Sequence, residues 1–375
     1  MIEERKETFM NFFTPVLVFG AGATLSTLAQ ILAFYTLPIV APILFLDEIG
    51  QNLYVLSLSQ IIGTVVVLFF LIPFFKVRDV EHQTLSIPNF FRTILVICFT
   101  FFFVFIFNLF VAYVVPLLDL PFEHSYESLI PEDSTLFSNP STLFFYFFGL
   151  TIGAGVFEEL LYRRMLIPLL EERGMAPFTA VLASTLVFAF IHVPNDLING
   201  TLTYAVTHFL GVCLIGFAAG TVYILTRNII YSMIVHAFMN SVSIISVFLS
   251  STNNFALLSV FDLVILGIIG IGMCMIGYVV WTYLKNPTTG WFSLIKEQSS
   301  IKILPGLVGF LGMSIVVLIS LIGLKIFRII LFLTNNIWVA LIPLLGVYAL
   351  FFGVFLFLKT QTIYEPSSET LPSFA

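Results

Sequence analysis

Residues 93–117 read TILVICFTFFFVFIFNLFVAYVVPL, without a single Asp, Glu, Lys or Arg. About 20 such residues carry an α-helix across the hydrocarbon core of a bilayer. The stretch belongs to an apolar segment at 92–117. Working outward from it, nine more appear, at approximately 12–45, 53–75, 141–170, 177–193, 203–225, 229–250, 256–284, 303–324 and 336–358. The first is longer than one perpendicular crossing needs. It is expected to tilt, or to break near Pro38.

Composition points the same way. Of the 375 residues, 59% are hydrophobic and 10% charged, and the mean hydropathy is +1.08. A soluble domain carries about 25% charged residues. These values exclude an ordinary soluble enzyme and a disordered chain. The expected fold is all-α, a polytopic transmembrane helical bundle of about ten spans with an eight-span core. Residues 1–284 form the core, 285–359 add two C-terminal spans, and 360–375 form a polar, disordered tail. No basic tract supports nucleic-acid binding. Cys98, Cys213 and Cys274 lie in apolar runs without disulfide or metal-ligand spacing and read as buried thiols. The apolar stretch after Met1–Met10 is too long for a signal-peptide core of about 7–15 residues, so the first span is expected to be retained.

Basic residues set the expected orientation. Arg5, Lys6, Lys76, Arg78, Arg92, Arg164, Arg173, Arg227, Lys285, Lys296, Lys302 and Lys359 occupy alternate connections. The intervening loops 46–52, 118–140, 194–202 and 251–255 hold no Lys or Arg. The pattern predicts a multi-pass protein of the cell (plasma) membrane with both termini cytoplasmic. Lys325 and Arg328 interrupt the alternation at the end of span 9. The loop 118–140 is acidic (Asp119, Glu123, Glu127, Glu132, Asp133) and reads as solvated. No internal repeat suggests a transporter built from matching halves.

Ionisable side chains inside a span are costly and are candidates for function. Of 21 acidic residues, only Glu158, Glu159 and Asp262 lie within a span away from its ends; of five histidines, His192, His208 and His236 do. All but Asp262 fall on spans 4 to 7. Glu159 and Arg163 are spaced i, i+4 in the favourable order for an ion pair. Glu158, about 100° further round the helix, has no such cation. Phe188 and His192 share a face near the end of span 5, and His236 and Asn240 share one on span 7. Glu158 and His192 are equidistant from position 175, beside the turn signal Glu171–Gly174. In an antiparallel hairpin both lie about 25 Å from that turn, at about 1.5 Å per residue. They are thus expected to meet, with room for a water between them. His236 and Asn240 read as interhelical hydrogen-bonding groups or as donors for a developing oxyanion. His208 reads as structural, Asp262 as interfacial, and Gly216 and Gly220 as a close-packing face.

Other hydrolytic and nucleotide motifs are missing. There is no His-Glu-x-x-His, Gly-x-Ser-x-Gly, Gly-x-Gly-Asp or P-loop. The three motifs that are present, Glu158-Glu159-x-x-x-Arg163, Phe188-x-x-x-His192 and His236-x-x-x-Asn240, stand in this order on three spans. Together they resemble the signature of the CPBP family of intramembrane endopeptidases, which holds the type II CAAX prenyl proteases and bacteriocin-processing and self-immunity relatives. The resemblance covers roughly residues 141–250.

It implies a peptidase in which Glu158 and His192 activate water and His236 and Asn240 stabilise the oxyanion. Glu159 and Arg163 hold the site or bind substrate, and Phe188, like Arg163, is structural or substrate-orienting. Glu158, His192 and His236 are also residue types that ligate a divalent metal such as zinc, so metal dependence stays open. The implied partners are the lipid bilayer and a membrane-anchored peptide or protein, for instance a pheromone or bacteriocin precursor; a prenylated substrate requires a host that prenylates. Water is expected to enter among spans 4, 5 and 7 from the cytoplasmic side. Two rivals are a non-catalytic membrane regulator or immunity protein acting by binding, and an ion or proton carrier.

Overall fold

The computed structural model describes residues 2–46, 48–77, 85–119, 139–193, 196–197, 201–252, 254–285 and 346. The expected spans at 303–324 and 336–358 (Gly346 apart), the 360–375 tail and almost all of the acidic loop lie outside the described residues. The chain divides into two compact units, residues 1–317 and 318–375; the helices below belong to the first.

In order they are α1 (Ile2–Leu44), α2 (Glu48–Val66), α3 (Ile72–Phe75), α4 (Ile87–Leu117), α5 (Pro140–Phe147), α6 (Ala154–Glu159), α7 (Ile167–Glu171), α8 (Pro177–Phe190), α9 (Leu202–Thr226), α10 (Ile229–Ser251) and α11 (Phe255–Lys285). Each of the first eight apolar segments corresponds to helix, and no strand occurs among the described residues. Six runs are long and apolar enough to cross a membrane, and Leu28–Leu44 and Pro177–Phe190 are shorter apolar helices. The physical reason is local: in lipid a backbone N–H has no water to bond, so the segment must satisfy it internally.

Two expectations are corrected. Pro38 does not break the first span, because α1 runs unbroken through it. Nor are the thiols uniformly buried: Cys98 is, but Cys213 is half-buried and Cys274 is exposed. Asp262 is exposed on α11.

The central span is not a simple α-helix. Residues Phe148–Gly153 and Leu160–Leu166 are π-helical, leaving α6 as a six-residue α segment between them. A third π segment, Val67–Leu71, joins α2 to α3. An i→i+5 pattern widens the helix and shifts the side chains that follow round its axis, and such segments recur at functional sites.

Caps set where the helices begin. The side chains of Ser86, Asn139, Thr201 and Asn228 accept backbone N–H bonds at the starts of α4, α5, α9 and α10. Thr93, Thr100 and Thr226 return their hydroxyls to carbonyls four residues back, which satisfies polar groups inside the bundle. The turn between α7 and α8 closes as its sequence suggests. Gly174 takes φ +79°, a left-handed value natural for glycine, and Met175 N–H donates to the Leu170 carbonyl at 3.1 Å.

Close approaches place the central span. A Cβ on Gly155 would sit 3.3 Å from Ala237, so α6 lies directly on α10. A Cβ on Gly22 would collide with Leu161, bringing α1 against the second π segment. Helix α9 packs on α8, α10 and α4, and α11 packs on α4. Arg227, in a left-handed connection between α9 and α10, makes a bidentate bond to Glu171 at 2.7 and 2.8 Å. That bond, the largest influence on Arg227, raises its pKa further and keeps it charged. Tyr231 OH clasps the Ser86 backbone, accepting its N–H at 2.7 Å and donating to its carbonyl at 2.9 Å. Leu257, Leu263, Val264 and Leu266 on α11 are exposed, as are Phe69, Phe70 and Phe110. These side chains form the outward, lipid-facing surface.

Candidate active site

The site starts from a buried carboxylate. Glu159, at the end of α6, is fully buried. Its Oε1 accepts from Arg163 Nη1 at 2.9 Å and from His236 Nδ1 at 2.8 Å. Its Oε2 meets the Ser232 hydroxyl, which also lies 2.9 Å from the Ala219 carbonyl. The i, i+4 pair expected between Glu159 and Arg163 is present. The sequence reading missed Ser232, although it lies four residues before His236 and so on the same helix face.

Arg163 is equally buried. Its Nη2 donates to the Gly216 carbonyl at 2.9 Å, and its guanidinium carbon stands 4.6 Å from the centre of the Phe188 ring. Phe188 is a hub. Its ring meets Tyr162, His192 and His236 edge-on at 5.5, 5.2 and 5.4 Å. Its carbonyl accepts from His192 Nδ1 at 3.0 Å. A carbonyl only accepts, so Nδ1 carries the proton and Nε2 of a neutral His192 is left as a base.

Gly216 is small for a reason. An added Cβ would lie 2.8 Å from Phe188 Cδ1 and 3.1 Å from Arg163 Nη2. Gly220 is similarly tight against Val181. Gly216→Ala is therefore expected to cost about 1–3 kcal/mol through overpacking, read as a lower melting temperature in detergent.

Glu158 behaves differently from Glu159. Its side chain is 21% exposed, and His236 Nε2 approaches it at 3.6 Å. It lines a cavity of about 250 Å³ together with Ser26, Phe157, Tyr162, Ile191, His192, Asp196 and His208. Glu158 and His192 thus share one wall. The cavity leaves room for the water expected between them. His236 is almost fully buried and approaches the cavity through its Nε2, 3.6 Å from Glu158. Asn240, one turn further along α10, donates its amide to Leu150 O at 3.0 Å, in the first π segment.

Three further residues on the wall were not singled out as site residues in the sequence. Asp196 Oδ2 accepts from His208 Nδ1 at 2.7 Å. The Tyr162 hydroxyl is buried and has no hydrogen-bond partner among the described residues. Of the lining residues, Ile191, His192, Asp196 and His208 lie at the end of α8 and the start of α9, away from the Glu171–Arg227 pair.

Among the described residues, no three His, Cys, Asp or Glu side chains are grouped so as to hold a metal ion. Glu158, His192 and His236 therefore do not form the three-ligand set typical of catalytic zinc.

Residues 140–242 match the family model described as type II CAAX prenyl endopeptidase Rce1-like. Over this segment the chain is similar to the type II CAAX prenyl endopeptidases, in line with the resemblance to the CPBP family. The matched segment spans α5 to most of α10 and includes every residue of the three motifs. The match, with the apolar helices, supports an integral membrane protein with a CAAX-protease-type segment. No curated protein and no solved structure matches the chain.

Proposed function

We propose that this CPBP protein is an endopeptidase that hydrolyses a peptide bond of a membrane-anchored peptide or protein, with Glu158 as general base. The observation that carries the reading is the contrast between adjacent carboxylates. Glu159 is consumed by Arg163, Ser232 and His236, while Glu158 faces a cavity with His192 and has no Lys or Arg partner among the described residues. A water between Glu158 and His192 gives up a proton to Glu158, and its oxygen attacks the substrate carbonyl.

His236 is held by Glu159 at Nδ1. When protonated it has an Nε2–H, and the 3.6 Å gap to Glu158 is too long for a firm hydrogen bond. That proton is available to an oxyanion forming beside Glu158. An amide offers two N–H donors, so Asn240 has one beyond the hydrogen committed to Leu150. Arg163 and Phe188 act by fixing the rings of His192 and His236.

The test uses the purified protein in detergent and quenched, membrane-anchored peptides. Wild type is expected to cleave, and His192→Ala to lower the rate by about 10²–10⁴-fold, the usual worth of acid–base assistance. A strong chelator is expected to leave the rate unchanged, because the three candidate ligands do not converge. Loss of cleavage with chelator would bring a metal back into the mechanism. Absence of wild-type cleavage across the panel would overturn the peptidase reading in favour of a binding role.

A further inference from the structure

The cavity holds a second carboxylate–imidazole pair that the mechanism above does not use. His208 sits in the second turn of α9, with Nδ1 2.7 Å from Asp196 Oδ2. Asp196 is almost fully buried, and its backbone N–H donates to the His192 carbonyl at 3.1 Å. The Tyr204 ring stacks on His208 at 5.5 Å and 16°, which fixes the imidazole plane. The His192 ring stands perpendicular to it at 5.7 Å. Both members of the pair line the cavity that Glu158 and His192 line.

A tether between the 191–197 turn and α9 accounts for the hydrogen bond. It does not account for an imidazole placed on the cavity wall beside His192. Peptide hydrolysis requires two proton transfers on opposite sides of the scissile bond. One removes a proton from water. The other delivers a proton to the leaving nitrogen, which departs too slowly as an anion. Glu158 with His192 supplies the first. A histidine whose Nδ1–H is bound by a carboxylate, and whose imidazolium that carboxylate stabilises, has the build of the second.

We infer that His208, oriented by Asp196, is the general acid that protonates the leaving amine from Nε2. This rests on the peptidase reading. The step balances. Water oxygen bonds to the carbonyl carbon as Glu158 takes its proton. The C–N bond then breaks while His208 Nε2–H passes to nitrogen, giving a carboxylic acid and a neutral amine. Proton transfer from Glu158 to His208, through cavity water, restores both groups.

The test compares two scissile bonds in full-length protein in detergent. One probe is whichever membrane-anchored quenched peptide the wild type cleaves fastest. The other is the acyl half of that peptide as a p-nitrophenyl ester, whose phenolate leaves without a proton. His208→Gln, which can still donate to Asp196, is expected to slow amide cleavage by about 10²–10⁴-fold and to leave ester cleavage nearly unchanged. Asp196→Asn should shift the same ratio in the same direction, less strongly. A parallel fall in both reactions would mean a structural tether and overturn the inference. So would unchanged amide cleavage in His208→Gln. Wild type inactive on every peptide would fail the peptidase reading itself, and this inference with it.

Discussion

Glu158→Gln is expected to remove peptide cleavage, by about 10²–10⁴-fold in rate, while the protein accumulates and melts like wild type. The substitution keeps the size of the side chain and removes its ability to take a proton. Little structure depends on the charge. Glu158 is partly exposed to the cavity, and its one ion contact among the described residues is the 3.6 Å approach of His236. The buried network around Glu159 does not pass through it. Rate measurements on anchored peptides, paired with detergent melting curves, check both halves of the expectation. The same variant separates the peptidase from a binding protein in cells. A regulator or immunity protein acting by contact would keep its phenotype with Gln at 158; an enzyme would lose it. A carrier would continue to move its ion after loss of His236 or Asn240.

Arg163→Ala is expected to have the largest effect on stability, about 3–5 kcal/mol, the cost of leaving one member of a buried ion pair uncompensated. Domain stabilities are about 5–15 kcal/mol, so much of the protein should fail to accumulate. Four contacts are lost together: the bond to Glu159, the bond to the Gly216 carbonyl, the cation over Phe188, and the filled space between α8 and α9. The Glu159 carboxylate then remains buried with His236 and Ser232 alone. Combining Arg163→Met with Glu159→Gln removes both charges at similar volume and is expected to recover part of the lost melting temperature. Recovery assigns the cost to the stranded charge. If the double variant is no more stable than Arg163→Ala, lost packing and the Gly216 bond carry the effect instead.

Much of this arrangement was readable from residues 93–117 outward. Hydropathy adds along the chain, and lipid leaves the backbone no partner but itself, so eight helices follow from local composition. The Glu159–Arg163 pair and the His192 turn were legible for the same reason: helical spacing decides them within one or two turns. That Glu158 and His192 line one cavity is in keeping with their equal distance from position 175. The two π segments around α6 were not. They depend on how the central span is held against α1, α2 and α10, and they set where Glu158 and Glu159 point.

The division of labour between the two glutamates also lay beyond the sequence. Adjacent residues of one type have the same local pattern, and only Ser232 and His236, 73 and 77 positions away, make one structural and leave the other facing the cavity. Asp196 with His208, and Asn240 with Leu150, are joined in the same way. Local hydrogen bonding and hydropathy determine that this chain forms apolar helices and which polar residues they carry inward. The rotation and depth at which those helices meet are decided by packing, because a polar group in a dry interior takes whatever partner the neighbouring helix brings within about 3 Å.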